Sequence, residues 1–285
     1  MRYLILLCLL TPFHLFAETS LWKVSKADSH LFIGGTIHVL SAADYPLPRE
    51  FEHAYQQAQT IVFETDLAAM ARPESQQQLL QRVMYQPGRS LEDDLTVKTY
   101  KALSDYLLSV GLDIENLKLF KPPMVTITLL MIELQRLGLA ETGVDNYFNQ
   151  KAIAEGKTLA ELESLAVQFD VIANMGKGYE NEMIMSTLAE MKELPLIMGK
   201  MKQAWRDGDS VGLEKLGLQE MKDDYPELYR LILVNRNKAW LPKVEHLLAT
   251  PEVEFILVGA LHLVGDDGVI ASLRKLGYRV ELYSM

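Results

Sequence analysis

Apolar positions along the chain change period twice. Up to about residue 66 they come in short runs or alternate with polar ones, as in "LWKVSK", "HLFIGGTI" and "TIVFETD", and this pattern predicts strands. A polar helix is predicted near residues 48–59, with Pro46 and Pro48 at its start. Between about residues 73 and 248 apolar residues fall three and four apart, in "SQQQLLQRVMYQ", "VKTYKALSDYLLSVG" and "LYRLILVNRNKAWLPKVEHLL". That is the period of amphipathic helices. Within this zone "KTLAELE", residues 157–163, reads as a short strand after Gly156. The chain then returns to strand, helix and strand: "EFILVGA", "DDGVIASLRKLG" and "YRVELYS".

The expected fold class is therefore α/β in a mixed α+β form, with strand-rich N- and C-terminal parts and a large helical insertion between them. No Pro/Gly/Ser-rich linker divides the chain, so a single domain over residues 18–285 is expected. Two segments repeat a local pattern. "LFIGGTIHVL" (31–40) and "FILVGALHLV" (255–264) each run from an apolar strand through a glycine to a histidine three residues on. Gly35 and His38 match Gly259 and His262, as if a duplicated core brought equivalent strand ends together. Glycine there permits a positive φ and lets a ligand approach the backbone. The histidine then falls in the loop beyond the strand's carboxyl end, where α/β sheets place ligands. The alternative is two satisfied histidines at sheet ends.

Two carboxylates sharpen the picture. Glu64 ends "TIVFE" and Glu163 ends "KTLAELE". A carboxylate closing an apolar run is costly unless a cation or hydrogen bonds compensate it; a solvated loop position is the plainer reading. Two imidazoles and one or two carboxylates on one edge would suit Zn²⁺ or Mn²⁺.

Composition restricts the alternatives. "MRYLILLCLLTPFHLFA" has one positive charge, a short apolar run and small Ala17, the layout of a signal peptide cleaved after Ala17. Export to the periplasm is expected, with an uncleaved anchor as the alternative. Cys8, preceded by Leu6 and Leu7, does not suit lipidation, and it is the only cysteine, so the mature chain has no thiolate chemistry. A net charge of −10 argues against nucleic acid as a partner. The apolar stretch from Met124 contains Glu133 and Arg136 and suits a core helix better than a membrane span.

Taken jointly, several motifs resemble the TraB/GumN family, which includes the Tiki proteases that act on Wnt proteins. They are "GGTIHVL", "VFETDL", "TGVDNYF", "GKTLAELESLAVQFD", "NRNKAW" and "VGALHLVGDDGVIASLRKLGY". The resemblance implies a metal-dependent hydrolase on a fold shared with erythromycin-esterase-like and ChaN-like haem-binding proteins. It places His38, Glu64 and His262 at a divalent metal, with Glu163 as general base or further ligand; the likeness to Tiki points toward Mn²⁺ or Co²⁺, whereas His/Glu ligation alone would suit Zn²⁺ equally. Arg236 would stabilise an oxyanion or hold a substrate carboxylate; the alternative is a helix-surface salt bridge. Asp145 would hold a histidine or cap the helix after it, and capping is the simpler reading. The implied substrate is a peptide or protein. Its competitors are a non-catalytic binding protein for haem, a peptide or a small molecule, and an envelope protein with an unused site. His30, His53 and His246 match no motif and read as surface or structural residues. The methionines of "NMGKGYENEMIMSTLAEMKELPLIMGKM" read as adaptable core or a pliant groove before a copper site.

Overall fold

The structure, a computed structural model, describes residues 19–139 and 141–285. The segment expected to be a signal peptide, with Cys8, lies outside the described residues.

Eight strands occur among the described residues. They are β1 (Leu21–Lys26), β2 (Ser29–Thr36), β3 (Val39–Leu40), β4 (Thr60–Phe63), β5 (Glu141–Thr142), β6 (Thr158–Glu161), β7 (Glu254–Gly259) and β8 (Arg279–Leu282). Six form one mixed sheet in the order β6-β4-β7-β2-β1-β8. Its β6-β4-β7-β2 part is parallel, and β1 and β8 pair antiparallel at the other side. The two-residue strands β3 and β5 form a separate antiparallel pair. The class is α/β, as the hydrophobic pattern predicts.

The continuous apolar runs of β4 and β7 have their reason in this arrangement: a parallel sheet is covered on both faces. Phe32, Ile61, Phe63, Phe255 and Leu257 face one layer, with Phe51 of helix Arg49–Gln57, Phe148 of helix Val144–Glu155, and Trp205. Leu31, Ile33, Val62, Ile256 and Val258 face the other. There they meet Trp240 and Val244 of helix Asn235–Leu247 and Leu273 of helix Val269–Lys275. The alternation follows the two-residue period of a strand. Helices Val97–Ser109, Pro122–Arg136 and Glu180–Glu190 instead enclose an apolar cluster of their own around Leu103, Leu107, Val125, Leu129 and Ile184. The stretch from Met124 is thus a core helix, and among the described residues no helix is long and apolar enough to cross a membrane.

The repeated glycine–histidine motifs lie on neighbouring parallel strands, one residue out of step. Gly35 pairs with Val258, and Thr36 with Gly259. The structure corrects the reason for the glycines. Gly34, Gly35 and Gly259 are absent from the positive-φ positions, and Gly259 has φ −49°. Crowding explains Gly34 and Gly35 instead. A Cβ on Gly35 would stand 3.0 Å from Ala260 Cα, in the turn after β7. On Gly34 it would stand 2.8 Å from Phe51 Cε1 and 3.0 Å from Phe255 Cε2. Both rings are fully buried. Gly34→Ala is therefore expected to destabilise the fold by about 1–3 kcal/mol, the usual cost of overpacking. Urea denaturation checks this, and an unchanged midpoint would show that the rings yield freely.

Candidate functional site

The four parallel strands end on one edge, and each candidate follows a strand end closely. His38 follows β2, Glu64 follows β4, Glu163 follows β6 and His262 lies in the turn Ala260–His262 after β7. Pairing continues past the strands: Leu162 N–H donates to Phe63 O (2.9 Å) and Glu163 N–H to Glu64 O (2.8 Å). The crevice beyond the carboxyl ends of such strands is where α/β folds assemble their sites.

Arg236 stands at the centre. It is buried, so it is not the helix-surface ion pair that spacing alone allowed. A π-helical turn, Arg230–Val234, immediately precedes helix Asn235–Leu247, interrupting the single helix expected here. Such turns are frequent at functional sites. Arg236 Nη2 donates to Glu64 Oε2 and to Glu163 Oε1, both at 2.5 Å. Its Nε reaches both Glu163 oxygens, at 3.0 and 3.1 Å. Trp240 Nε1 donates to Glu163 Oε2 (2.9 Å), and the Trp240 ring lies 4.8 Å from the guanidinium carbon. Both oxygens of Glu163 are thus taken, and the guanidinium is held on its edge and its face.

Glu64 is the second hub. Its Oε1 accepts the Gly259 N–H (2.7 Å), and its Oε2 accepts Gln168 Nε2 (3.2 Å) besides Arg236. Burial pushes its pKa up, but His262, Arg236, His38 and the Gly259 N–H together hold it down at about 2.

The two histidines have opposite surroundings. His262 is buried, and its Nδ1 meets Asn237 Oδ1 at 2.6 Å. Asn237 Nδ2 donates to the carbonyls of His262 and Asp267, so Oδ1 faces the ring as an acceptor and Nδ1 carries the proton. Nε2 is then an acceptor, 3.0 Å from Arg236 Nη1 and 3.9 Å from Glu64 Oε1. Burial, aided by Arg236, lowers the His262 pKa to about 4. His38 is exposed, with 66% of its side chain accessible. Its Nδ1 bonds Asp145 Oδ2 (3.0 Å), and that carboxylate raises the ring to about 9. Asp145 does not cap its helix: Gly143 is the N-cap residue, without a side-chain bond, and the acid holds the histidine instead.

What joins these groups is Gly259. A Cβ there would stand 3.3 Å from Glu64 Oε1, 3.6 Å from His262 Cδ2 and 3.8 Å from His38 Nε2. The missing side chain leaves a notch faced by both rings and the carboxylate. Among the described residues, no three His, Cys, Asp or Glu side chains already stand at ligand spacing.

The sequence profile of the TraB/PrgY/gumN family matches residues 20–282. The chain belongs to the TraB/PrgY/gumN family. Neither a curated protein nor a solved structure matches it. In this TraB/PrgY/gumN protein His38, Glu64, Glu163, Arg236 and His262 all lie at one sheet edge, the last four in direct or near contact. Sequence reasoning gave no role to Trp240 or Asn237. The available signal was helical spacing, because Arg236 and Trp240 are four residues apart and share a helix face.

The buried His262 implies a pH dependence. Between about pH 4 and the ordinary value of 6.5 the unfolded chain binds a proton that the folded chain excludes. Stability therefore rises with pH through that window and falls on acidification, by up to about 1.4 kcal/mol per pH unit. The raised pKa of His38 acts with the opposite sign and in another window. Its contribution is complete below 6.5 and is lost as pH rises through about 9. Urea denaturation at pH 7 and pH 5 should show a smaller acid loss in His262→Asn than in wild type. Equal losses would show that His262 titrates freely.

Proposed function

We propose that this chain is an exported metal-dependent hydrolase acting on peptides or proteins, with a divalent ion held by His38, Glu64 and His262. The observation that carries this reading is the notch over Gly259, a cradle that a Cβ would fill, faced by two imidazoles and a carboxylate. The donor chemistry suits Zn²⁺, Mn²⁺ or Co²⁺. Both rings also have the outer partners that metal-binding histidines need: Asp145 on Nδ1 of His38 and Asn237 on Nδ1 of His262. Each leaves Nε2 as the ligating atom. Arg236 Nη1 now contacts His262 Nε2, and His262 would have to give up that contact in order to hold an ion.

When bound, such an ion supplies Lewis acidity and lowers the pKa of a coordinated water toward neutrality. The chain's own residues do the remaining work. Arg236, fixed by Glu163 and Trp240, presents a buried positive charge suited to a developing oxyanion or a substrate carboxylate. Glu163 fits the role of orienting Arg236 better than that of general base, because both its oxygens are occupied. Export rests on the charged and apolar pattern of residues 1–17. A ligand-binding role without turnover is the second reading, favoured by an apolar cavity among the middle helices.

The test is a peptide-library digest with metal-reconstituted mature protein, wild type beside His38→Ala. Metal-stimulated cleavage confined to wild type is the expected result. Undiminished cleavage by the variant would defeat the assignment.

A further inference from the structure

A cavity of about 370 Å³ opens among the middle helices, within the range of small-molecule sites. Met183, Met191, Leu194, Met221, Tyr225 and Leu231 form much of its wall. Three apolar clusters meet around it. Ile184, next to Met183, belongs to the helical cluster; Met191 and Leu194 belong to a smaller one; Met221 packs against the sheet core. The turn around Gly176 shuts down on one wall, since a Cβ at that residue (φ +66°) would stand 2.3 Å from Met183 Sδ. Unbranched methionine side chains let such a wall fit differing apolar shapes.

The polar groups narrow the choice of ligand. Thr126 Oγ1 is buried on the wall without a hydrogen-bond partner. Glu190, Glu220 and Glu227 line the cavity against one cation, Lys177. Arg230 answers Glu227, and Ser186 Oγ donates to Glu190 (2.5 Å). Partial desolvation at the cavity mouth, and then the neighbouring Glu190 and Asp224, push the Glu220 carboxyl upward.

We propose that this cavity binds an amphiphilic amine, its apolar body against the methionines and its ammonium at the carboxylates of Glu190 and Glu220. A fatty-acid carboxylate meets like charge at the same place, and a neutral alcohol gains burial without charge pairing. The site is independent of the hydrolytic centre and stands whether or not the chain cleaves peptides.

The experiment follows N-phenyl-1-naphthylamine fluorescence with the full mature chain and competes this uncharged probe with decylamine, decanol and decanoate. The probe should bind, and decylamine should displace it at a concentration at least tenfold below decanol, with decanoate weakest. Glu190 and Glu220 are exposed, so Glu190→Gln/Glu220→Gln is expected to fold and to keep the probe. Its amine preference over decanol should shrink below about threefold, since a tenfold preference, about 1.4 kcal/mol, is what two exposed carboxylate pairs can supply and the substitutions remove both. Absent probe binding in wild type, decanoate matching decylamine, or a preference that survives the double substitution would each overturn the proposal.

Discussion

Arg236→Met is expected to lower the stability of chelator-treated protein by about 3–5 kcal/mol, the cost of leaving buried charge without its partner. The side chains of Arg236, Glu64 and Glu163 are only 8, 12 and 6% accessible. One guanidinium makes contacts to both carboxylates, and methionine preserves bulk while removing every donor. The Trp240 N–H and the Gly259 N–H remain to Glu163 and Glu64, yet neither carries a full charge. Chemical denaturation in excess chelator measures the effect. A loss below about 1 kcal/mol would place the pair in the range of exposed salt bridges and contradict the buried arrangement.

Gly259→Ala is expected to behave in the opposite way, with little change in stability and a large loss of function. Its backbone, at φ −49° and ψ 132°, is open to any L residue. The tightest contact of the new methyl, 3.3 Å to Glu64 Oε1, needs a shift of a few tenths of an ångström, so the stability cost should stay under about 1 kcal/mol. The methyl nevertheless fills the space faced by His38, Glu64 and His262. Metal affinity should fall at least 10–100-fold, the range seen when groups supporting a metal site are disturbed. Calorimetric titration with Mn²⁺ and Zn²⁺, paired with thermal denaturation, separates the two effects. Unaltered metal affinity would mean that no ion uses the notch.

Much of this arrangement was legible in the residues. The two apolar runs ending in glycine and histidine do lie side by side, because continuous apolar strands with helices between them leave a parallel sheet as the way to bury both faces. Glu64 and Glu163 were marked by the same physics: a charge that closes a buried run needs a partner, and both find Arg236. Other features left no local trace. The same Gly-x-x-His spacing yields an exposed His38 and a buried His262, because burial depends on the helix Asn235–Leu247 packed over only one of them. Trp240 reads as one more apolar position of that helix, and its N–H bond to Glu163 is purely tertiary. The glycines point toward a permissive backbone, whereas neighbours contributed by Phe51, Ala260 and the candidate ligands decide those positions. Strands β3 and β5, two residues each, are too short to show a period.

Equilibrium dialysis of the protein against Mn²⁺, Co²⁺ and Zn²⁺, with bound metal counted per chain, tests the central assignment most directly. Wild type should retain one ion, and a folded His38→Ala/His262→Ala variant should retain none. Equal occupancy in the two proteins would show that the imidazoles at the ends of β2 and β7 do not share an ion.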